Sequence, residues 1–419
     1  MATRNLNRRS KPHVRERGAM AVQLLVIMVP VLFGLIGFAV DLGTLYSIRG
    51  ELKTASDSMA LAAAQHLIGT NQGLSDATSA AQLSTNKYNY GGLVIGQTNG
   101  FLSSSVQSPS YFTTLQDALN TTNAGAGGTS DSRHARVTIN ADAPLVFWRF
   151  LSLGVAGKTT VSASSVAGIS APLCTACAIE AFAVPALDQS DTTDFGYIPG
   201  TKYTLAYNCT GIGAPGPLPG TVRRIDYIIL NRLDPNATVF TDENSQLFRM
   251  GAGGLPGNST QACFSINVGE QVWANALPIA CTLNRPPAVV PSALCGLTTR
   301  FESTTLGSCA TIPDFDTLSS IYSPDSDTTD IDDYTAYAGN TRRVITIPII
   351  DVLNATGTMT VLGFRQFLVE PNQNAVDLNP NDVGGRFSAL YIGSVVPVKQ
   401  GRFDGCQVTS GPGKVVLHE

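Results

Sequence analysis

From Gly18 to Val40 the chain runs for 23 residues without a charge, closed by Arg17 on one side and Asp41 on the other. As a helix this stretch rises about 34 Å at 1.5 Å per residue, enough to cross a hydrocarbon core of about 30 Å. Thirteen of its residues are Leu, Ile, Val or Phe. At roughly −0.3 to −0.6 kcal/mol each they outweigh the single amide, Gln23. Pro30 falls near the middle, a position that a membrane helix tolerates better than a soluble one. A transmembrane helix over 18–41 is therefore predicted.

The residues ahead of it set the expected sidedness. Arg4, Arg8, Arg9, Lys11, Arg15 and Arg17 face one acid, Glu16, in the first 17 residues. Lys and Arg are retained on the cytoplasmic side, so the leader is expected inside and the bulk of the chain outside. A cleaved signal peptide has a shorter apolar core and a small-x-small site directly after it, where this chain has Ala39-Val40-Asp41. Arg8-Arg9 is not followed by the apolar residues of a twin-arginine signal. A buried soluble helix this long and uncharged is rare.

Composition narrows the rest. The 419 residues exceed one ordinary domain, and 43% hydrophobic content excludes global disorder. Charged residues make up only 14%, and the net charge of −4 carries no basic face for nucleic acid. With 40 Gly and 23 Pro, turns and short strands are favoured over long helices.

Thirteen residues in order then form a recognisable pattern: Gly18, Val22, Pro30, Val40, Asp41, Leu42, Gly43, Tyr46, Arg49, Leu52, Ala55, Asp57 and Ala60. The stretch from Arg17 to Ala64 resembles the N-terminal segment of TadE/TadG-like proteins of the bacterial Flp (Tad) pilus-assembly system. Two further stretches resemble longer members of that group. One is Asp194 to Leu205, similar to a recurring FGxxPGxxYTL segment. The other is Arg343 to Asp351 followed by Leu362-Gly363-Phe364, similar to their C-terminal strands. Some relatives carry Glu five residues after the Gly, as prepilin-peptidase substrates do; here that position is Gln23, which implies an uncleaved anchor. TadG-like members can also carry a von Willebrand factor A-like domain with a metal-binding Asp-x-Ser-x-Ser motif. Asp188-Gln189-Ser190-Asp191-Thr192 departs from it at the last position and follows Pro185, so that domain is not assigned.

Beyond the apolar run, Leu45, Ile48, Leu52, Ala55, Met59 and Ala62 recur at spacings of three and four, the seam of an amphipathic helix ending near Ile68-Gly69. It packs either on the chain's own domain or, in a homo-oligomer through the helix at 42–68, on a neighbouring subunit. A second short helix is expected over 75–88, and 91–132 reads as loop. Arg136 to Ala141 and Val161 to Ile169 alternate as strands, with the aromatic knot 144–150 between them as core of the small domain or, as the alternative, a membrane contact. From Cys174 onward, strands are expected over 203–207, 225–230, 263–268, 344–350, 359–369 and 387–398. The predicted fold class is α+β: a single N-terminal transmembrane helix continuing into an amphipathic helix, a small α/β membrane-proximal unit, then a mainly β, sandwich-like, disulfide-containing extracytoplasmic domain. The corresponding boundaries are 1–17, 18–41, 42–170 and 171–419.

The eight cysteines, Cys174, Cys177, Cys209, Cys263, Cys281, Cys295, Cys309 and Cys406, all lie beyond residue 173. An even count in an exported, loop-rich region reads as disulfides, although 105 pairings are open. Cys174 and Cys177 form a CxxC, but no βαβ pattern surrounds it for a redox role and no second close pair completes a zinc site.

No histidine pair among His13, His66, His134 and His418 has helical ligand spacing, and no nucleophile elbow or phosphate loop occurs. The acidic run Asp325, Asp327, Asp330, Asp332 and Asp333 fails the EF-hand pattern, with Asp330 at its sixth position and Ala336 at its twelfth, and reads as a solvated loop. No cofactor and no catalytic residue is assigned. The expected role is non-enzymatic: an inner-membrane, single-pass component of a Tad-type pilus or related secretion system, with the lipid bilayer and other pilus or secretion proteins as partners. Two alternatives stand beside it: a pseudopilin-like subunit cleaved after Gly18, and an envelope ligand-binding protein or hydrolase.

Overall fold

The computed structural model describes residues 16–83, 104–120, 127–145, 147–148, 157–177, 179–180, 182–207, 216–229, 263–266, 271–273, 290, 294, 297, 343–353, 358–369, 382, 384–406 and 408–418. Along the chain come α1 (Glu16–Ala64), α2 (Asn71–Leu83), β1 (Ser104–Val106), β2 (Ser110–Phe112), α3 (Leu115–Leu119), β3 (His134–Pro144) and β4 (Lys158–Ile169). There follow β5 (Thr175–Cys177), β6 (Phe182–Pro185), β7 (Lys202–Tyr207), β8 (Arg223–Ile229), β9 (Cys263–Ser265) and β10 (Gln271–Trp273). The last are β11 (Val344–Ile350), β12 (Thr358–Val369), β13 (Phe387–Gly393), β14 (Gly401–Arg402) and β15 (Val415–His418). The chain divides into two units. One comprises Met1–Ser56, Lys87–Gln107 and Thr138–Ala163; the other comprises Asp57–Asn86, Ser108–Val137 and Ser164–Glu419.

In the first unit, β1 pairs antiparallel with the C-terminal half of β3, Val106 opposite Ile139. Lys158 at the start of β4 pairs with Asp142 of β3 at 3.2 Å. That pair is solvent-exposed and adds little stability.

The second unit is built on a ring of strands. β12 pairs with β11 along one edge and with β13 along the other. From β11 the ladder continues through β6, β8 and β7 back to β13. The six strands therefore close on themselves, and β10 attaches to the free start of β12. The sequence suggested two stacked sheets. Closure replaces that arrangement because β12 pairs with β13 as well as with β11, which removes two edges that would otherwise stay unpaired.

Alternation decides what fills the ring. Phe182 and Val184, Tyr203 and Leu205, Ile225, Tyr227 and Ile229, Ile345, Ile347 and Ile349, Phe367 and Val369, and Phe387, Ala389 and Tyr391 form one buried cluster. Each set is spaced by two, the period that places side chains on one face of a strand. Aromatic edges and faces interlock inside, with Tyr197–Phe367 at 5.7 Å and Phe182–Tyr227 at 5.2 Å, both T-shaped. The opposite faces are also covered: Met359, Val361 and Phe364 belong to a second cluster, and Val344, Leu368 and Leu390 to a third that includes Ile68. β11 and β13 are accordingly buried at every position.

The α+β class, the long N-terminal helix and the mainly β remainder follow the sequence reading. Several boundaries moved. α2 begins at Asn71 rather than Ser75 because the Thr70 hydroxyl accepts from the Gly73 N–H at 2.9 Å, an N-cap. The expected loop 91–132 contains β1, β2 and α3, the last capped by Thr114. β13 stops at Gly393, whose φ of 79° ends the extended run. The short strands β6 and β15 were not anticipated.

Beside this ring, Cys174 and Cys406 form a disulfide spanning 232 residues of sequence. Cys177 is disulfide-bonded as well, so the CxxC does not close on itself. Its backbone faces Cys263 across the β5–β9 ladder. Cys209, Cys281, Cys295 and Cys309, and the acidic run 325–333, lie outside the described residues.

Candidate functional site: the apolar helix and the Asp41 tether

α1 is one continuous helix through Pro30. From Met20 to Ile36 its large apolar side chains are exposed on every side: Leu25 is 61% exposed, Leu32 50% and Phe33 62%. An all-round apolar helix is either buried in a protein core or surrounded by lipid. Almost none of this segment is buried, although its mean hydropathy reaches 2.5. It is the one helix among the described residues long and apolar enough to cross a membrane. Side-chain burial begins at Asp41 and then recurs at Ile48, Leu52, Ala55, Met59, Ala60, Ala63 and Ala64. The amphipathic seam read from the sequence is thus largely buried within the chain.

The changeover is held by Asp41, which is only 6% exposed. Its carboxylate accepts the Phe147 N–H at 3.1 Å and the Trp148 N–H at 2.8 Å. Both bonds are charge-assisted, the stronger kind. The Phe147 ring lies directly over Gly37, where an added Cβ would fall 2.0 Å from a ring carbon. Gly37→Leu is expected to eject this ring and destabilise the first unit by about 1–3 kcal/mol, as overpacking does; thermal unfolding in detergent measures it. Further along the same motif, Asp57 accepts from the Ser165 hydroxyl at 2.6 Å.

Gln23 and Pro30 lie on the exposed stretch of α1. Arg17 and Gly18 lie in its first turns, and Arg15 is outside the described residues. Within the expected aromatic core at 144–150, Trp148 is 52% exposed. Residues 146, 149 and 150 of that stretch lie outside the described residues.

The Asp188–Thr192 stretch and the FGxxPG segment after it form one ordered loop. Asp188 Oδ1 accepts from the Ser190 N–H at 2.8 Å. Asp191 accepts from the N–H groups of Thr193, Asp194 and Gly196. These bonds, the Gly196 one foremost, lower the Asp191 carboxyl below its ordinary range. The turn they enforce puts Phe195 at φ 55°, followed by Gly196 at 79°. Phe195 and Tyr197 then enter the core of the ring. From β12, Arg365 closes the loop by donating to the Thr192 carbonyl at 3.0 Å, the Thr193 carbonyl at 2.9 Å and the Ser410 hydroxyl at 2.9 Å. Its guanidinium also lies 4.5 Å over the Phe195 ring. This residue was missed in the sequence; an arginine in the middle of the apolar strand LGFRQFLV was the available signal.

The fold also joins two histidines that sequence spacing kept apart. His134 on β3 and His418 on β15 meet edge to face at 5.2 Å. Gly168 of the intervening β4 makes the room: a Cβ there would sit 2.1 Å from His134 Nδ1. Burial first, then the neighbouring His418 and Arg133, lowers the His134 pKa to about 4. The unfolded chain, at about 6.5, binds the proton more readily. Stability through this group is therefore full above pH 6.5, falls as pH drops towards 4, and levels below that. Solvent screening keeps the loss below the roughly 3 kcal/mol that 1.36 kcal/mol per unit would give. Denaturation midpoints at pH 7 and pH 4.5 should differ less in His134→Leu than in the natural chain.

Residues 18–66 match the family described as "Putative Flp pilus-assembly TadE/G-like". No curated protein and no solved structure matches the chain. The pattern running from Gly18 to Ala60 thus has a structural division of labour. Val22 and Val40 are exposed on the apolar helix, Leu52, Ala55 and Ala60 are buried, and Asp41 and Asp57 are tethers. The segment 18–66, which carries the apolar helix and both tethering aspartates, is a TadE/G-like segment.

Proposed function

We propose that this chain is a non-enzymatic, membrane-anchored component of a Tad (Flp) type pilus or related surface-secretion system, acting through protein–protein contacts in the cell envelope. The observation that carries this reading is the lipid-ready exposure of Met20 to Ile36 within a segment matched to a pilus-assembly family. On this reading residues 1–17 are cytoplasmic, 18–41 cross the inner membrane, 42–170 stand next to it, and 171–419 form the extracytoplasmic domain. Gln23, in place of the Glu of processed relatives, supports an uncleaved chain. The disulfide between Cys174 and Cys406 supports an oxidising location for the distal part.

Three measurements on native membranes test it. The full-length chain should resist carbonate extraction. Protease added to intact spheroplasts should degrade the bulk beyond residue 42. Mild crosslinking should retrieve other pilus or secretion proteins. A soluble chain, or a bulk untouched by protease, overturns the anchor reading, and an intact mass beginning at Ala19 replaces it with a processed subunit.

A further inference from the structure

Where α1 leaves its all-round exposed stretch, a cavity of about 330 Å³ opens between the helix and the 145–148 segment. Gly34, Phe38, Leu42 and Leu45 line it from one stripe of α1, and Phe147 and Trp148 close it from the other side. The Asp41 carboxylate also borders it, but its oxygens are occupied by the Phe147 and Trp148 N–H groups. What remains is an apolar hollow, of a kind that does not hold ordered water. Phe38 is 63% exposed, Leu42 38% and Trp148 52%.

Depth identifies the occupant. From Met20 to Asp41 the helix rises about 31 Å, so a core of about 30 Å entered at Met20 ends near Val40. Gly34 and Phe38 then lie below that boundary, and Leu42, Leu45 and Trp148 at or just above it. A hollow at this level is open sideways to acyl chains, and an indole beside it occupies the depth that tryptophan favours.

We propose that this notch seats one acyl chain of a bilayer phospholipid, with Trp148 at the headgroup level, so that Asp41 couples the membrane-proximal unit to a set depth. The proposal rests on the reading of 18–41 as a bilayer crossing. It explains why an acid at the membrane boundary bonds two backbone amides beside an exposed tryptophan.

The test uses the full chain reconstituted in phosphatidylcholine vesicles brominated near the headgroup end or near the methyl end of the acyl chain. The Trp148 signal is the emission lost in Trp148→Phe; Trp273→Phe, which leaves Trp148 as the sole tryptophan, supplies the same reading if the first variant misfolds. Bromines near the headgroup end should lower this emission about twofold, deep ones less, and aqueous iodide little, as interfacial placement requires. Quenching by iodide but not by bromine overturns the proposal. So does bromine quenching abolished by added chain, which would mean that a neighbouring copy's helix fills the notch. Flotation with the vesicles separates the two readings: a chain that floats yet shows iodide quenching retains its anchor and loses the lipid notch, whereas a chain that does not float loses both.

Discussion

The double variant Cys174→Ala/Cys406→Ala is expected to lose about 2–5 kcal/mol of stability, at the upper end of what one bridge contributes. The bridge closes 232 residues of sequence, and the denatured-chain entropy it removes grows with the logarithm of that length. The loss should also be local. Next to the bridge, the Cys174 N–H donates to the Arg402 carbonyl at 2.7 Å, and β14 lies along β5 through only two residue pairs. β15 follows and pairs with β4 from Val415↔Ile169 to His418↔Val166. Without the bridge, the segment from Gly401 onward is held by two short ladders and by single hydrogen bonds such as Arg365 to the Ser410 hydroxyl and the Leu173 N–H to the Pro412 carbonyl, and short ladders open at low cost. Guanidinium unfolding under non-reducing conditions should show the reduced midpoint. Hydrogen exchange should show β14 and β15 losing protection before the ring of strands does. A variant whose midpoint equals that of the natural chain would mean that the ladders and hydrogen bonds hold the C-terminal segment without the bridge.

Arg365→Met is the second large effect, about 2–3 kcal/mol. Methionine removes the donors to the Thr192 and Thr193 carbonyls, and hydrogen bonds from a charged donor contribute roughly 1.5–3 kcal/mol. Part of this is returned, because a buried charge no longer has to be kept out of water. Burial already lowers the Arg365 pKa, the sign of that desolvation cost. Arg365→Lys should recover less than half of the loss. A lysine ammonium is a single compact centre and cannot fork between two carbonyls and the Ser410 hydroxyl while lying flat on Phe195. The readout specific to this role is exchange at the Gly196 amide, which Asp191 holds at 2.9 Å: in the Arg365→Met variant it should accelerate well before global unfolding. Equal protection in the variant and the natural chain would assign the loop's order to its aspartates alone.

Much of the architecture near the N-terminus was legible because it depends on composition and local period. A run of apolar residues longer than the bilayer is thick needs no partner to be recognised, and the stripe Ile48, Leu52, Ala55, Met59 needs only the helical repeat. Strand interiors such as 203–207 and 344–350 were legible for the same reason. β6 was not: four residues closed by a proline show too little alternation. His134 and His418 were set aside because ligand spacing along one helix was the criterion, whereas a glycine in an intervening strand brings them together.

The sequence by itself determined where the long apolar helix lies, the α+β class, and which segment carries the TadE/G-like pattern. Those properties reside in consecutive residues, whose hydration and periodicity do not depend on what lies far along the chain. Tertiary structure alone decided the closure of the six strands, the choice of Cys406 rather than Cys177 as the partner of Cys174, and the capture of the 147–148 amides by Asp41. Each of these joins residues more than a hundred positions apart, and the free energy that selects them arises only once distant surfaces have been brought together and dried.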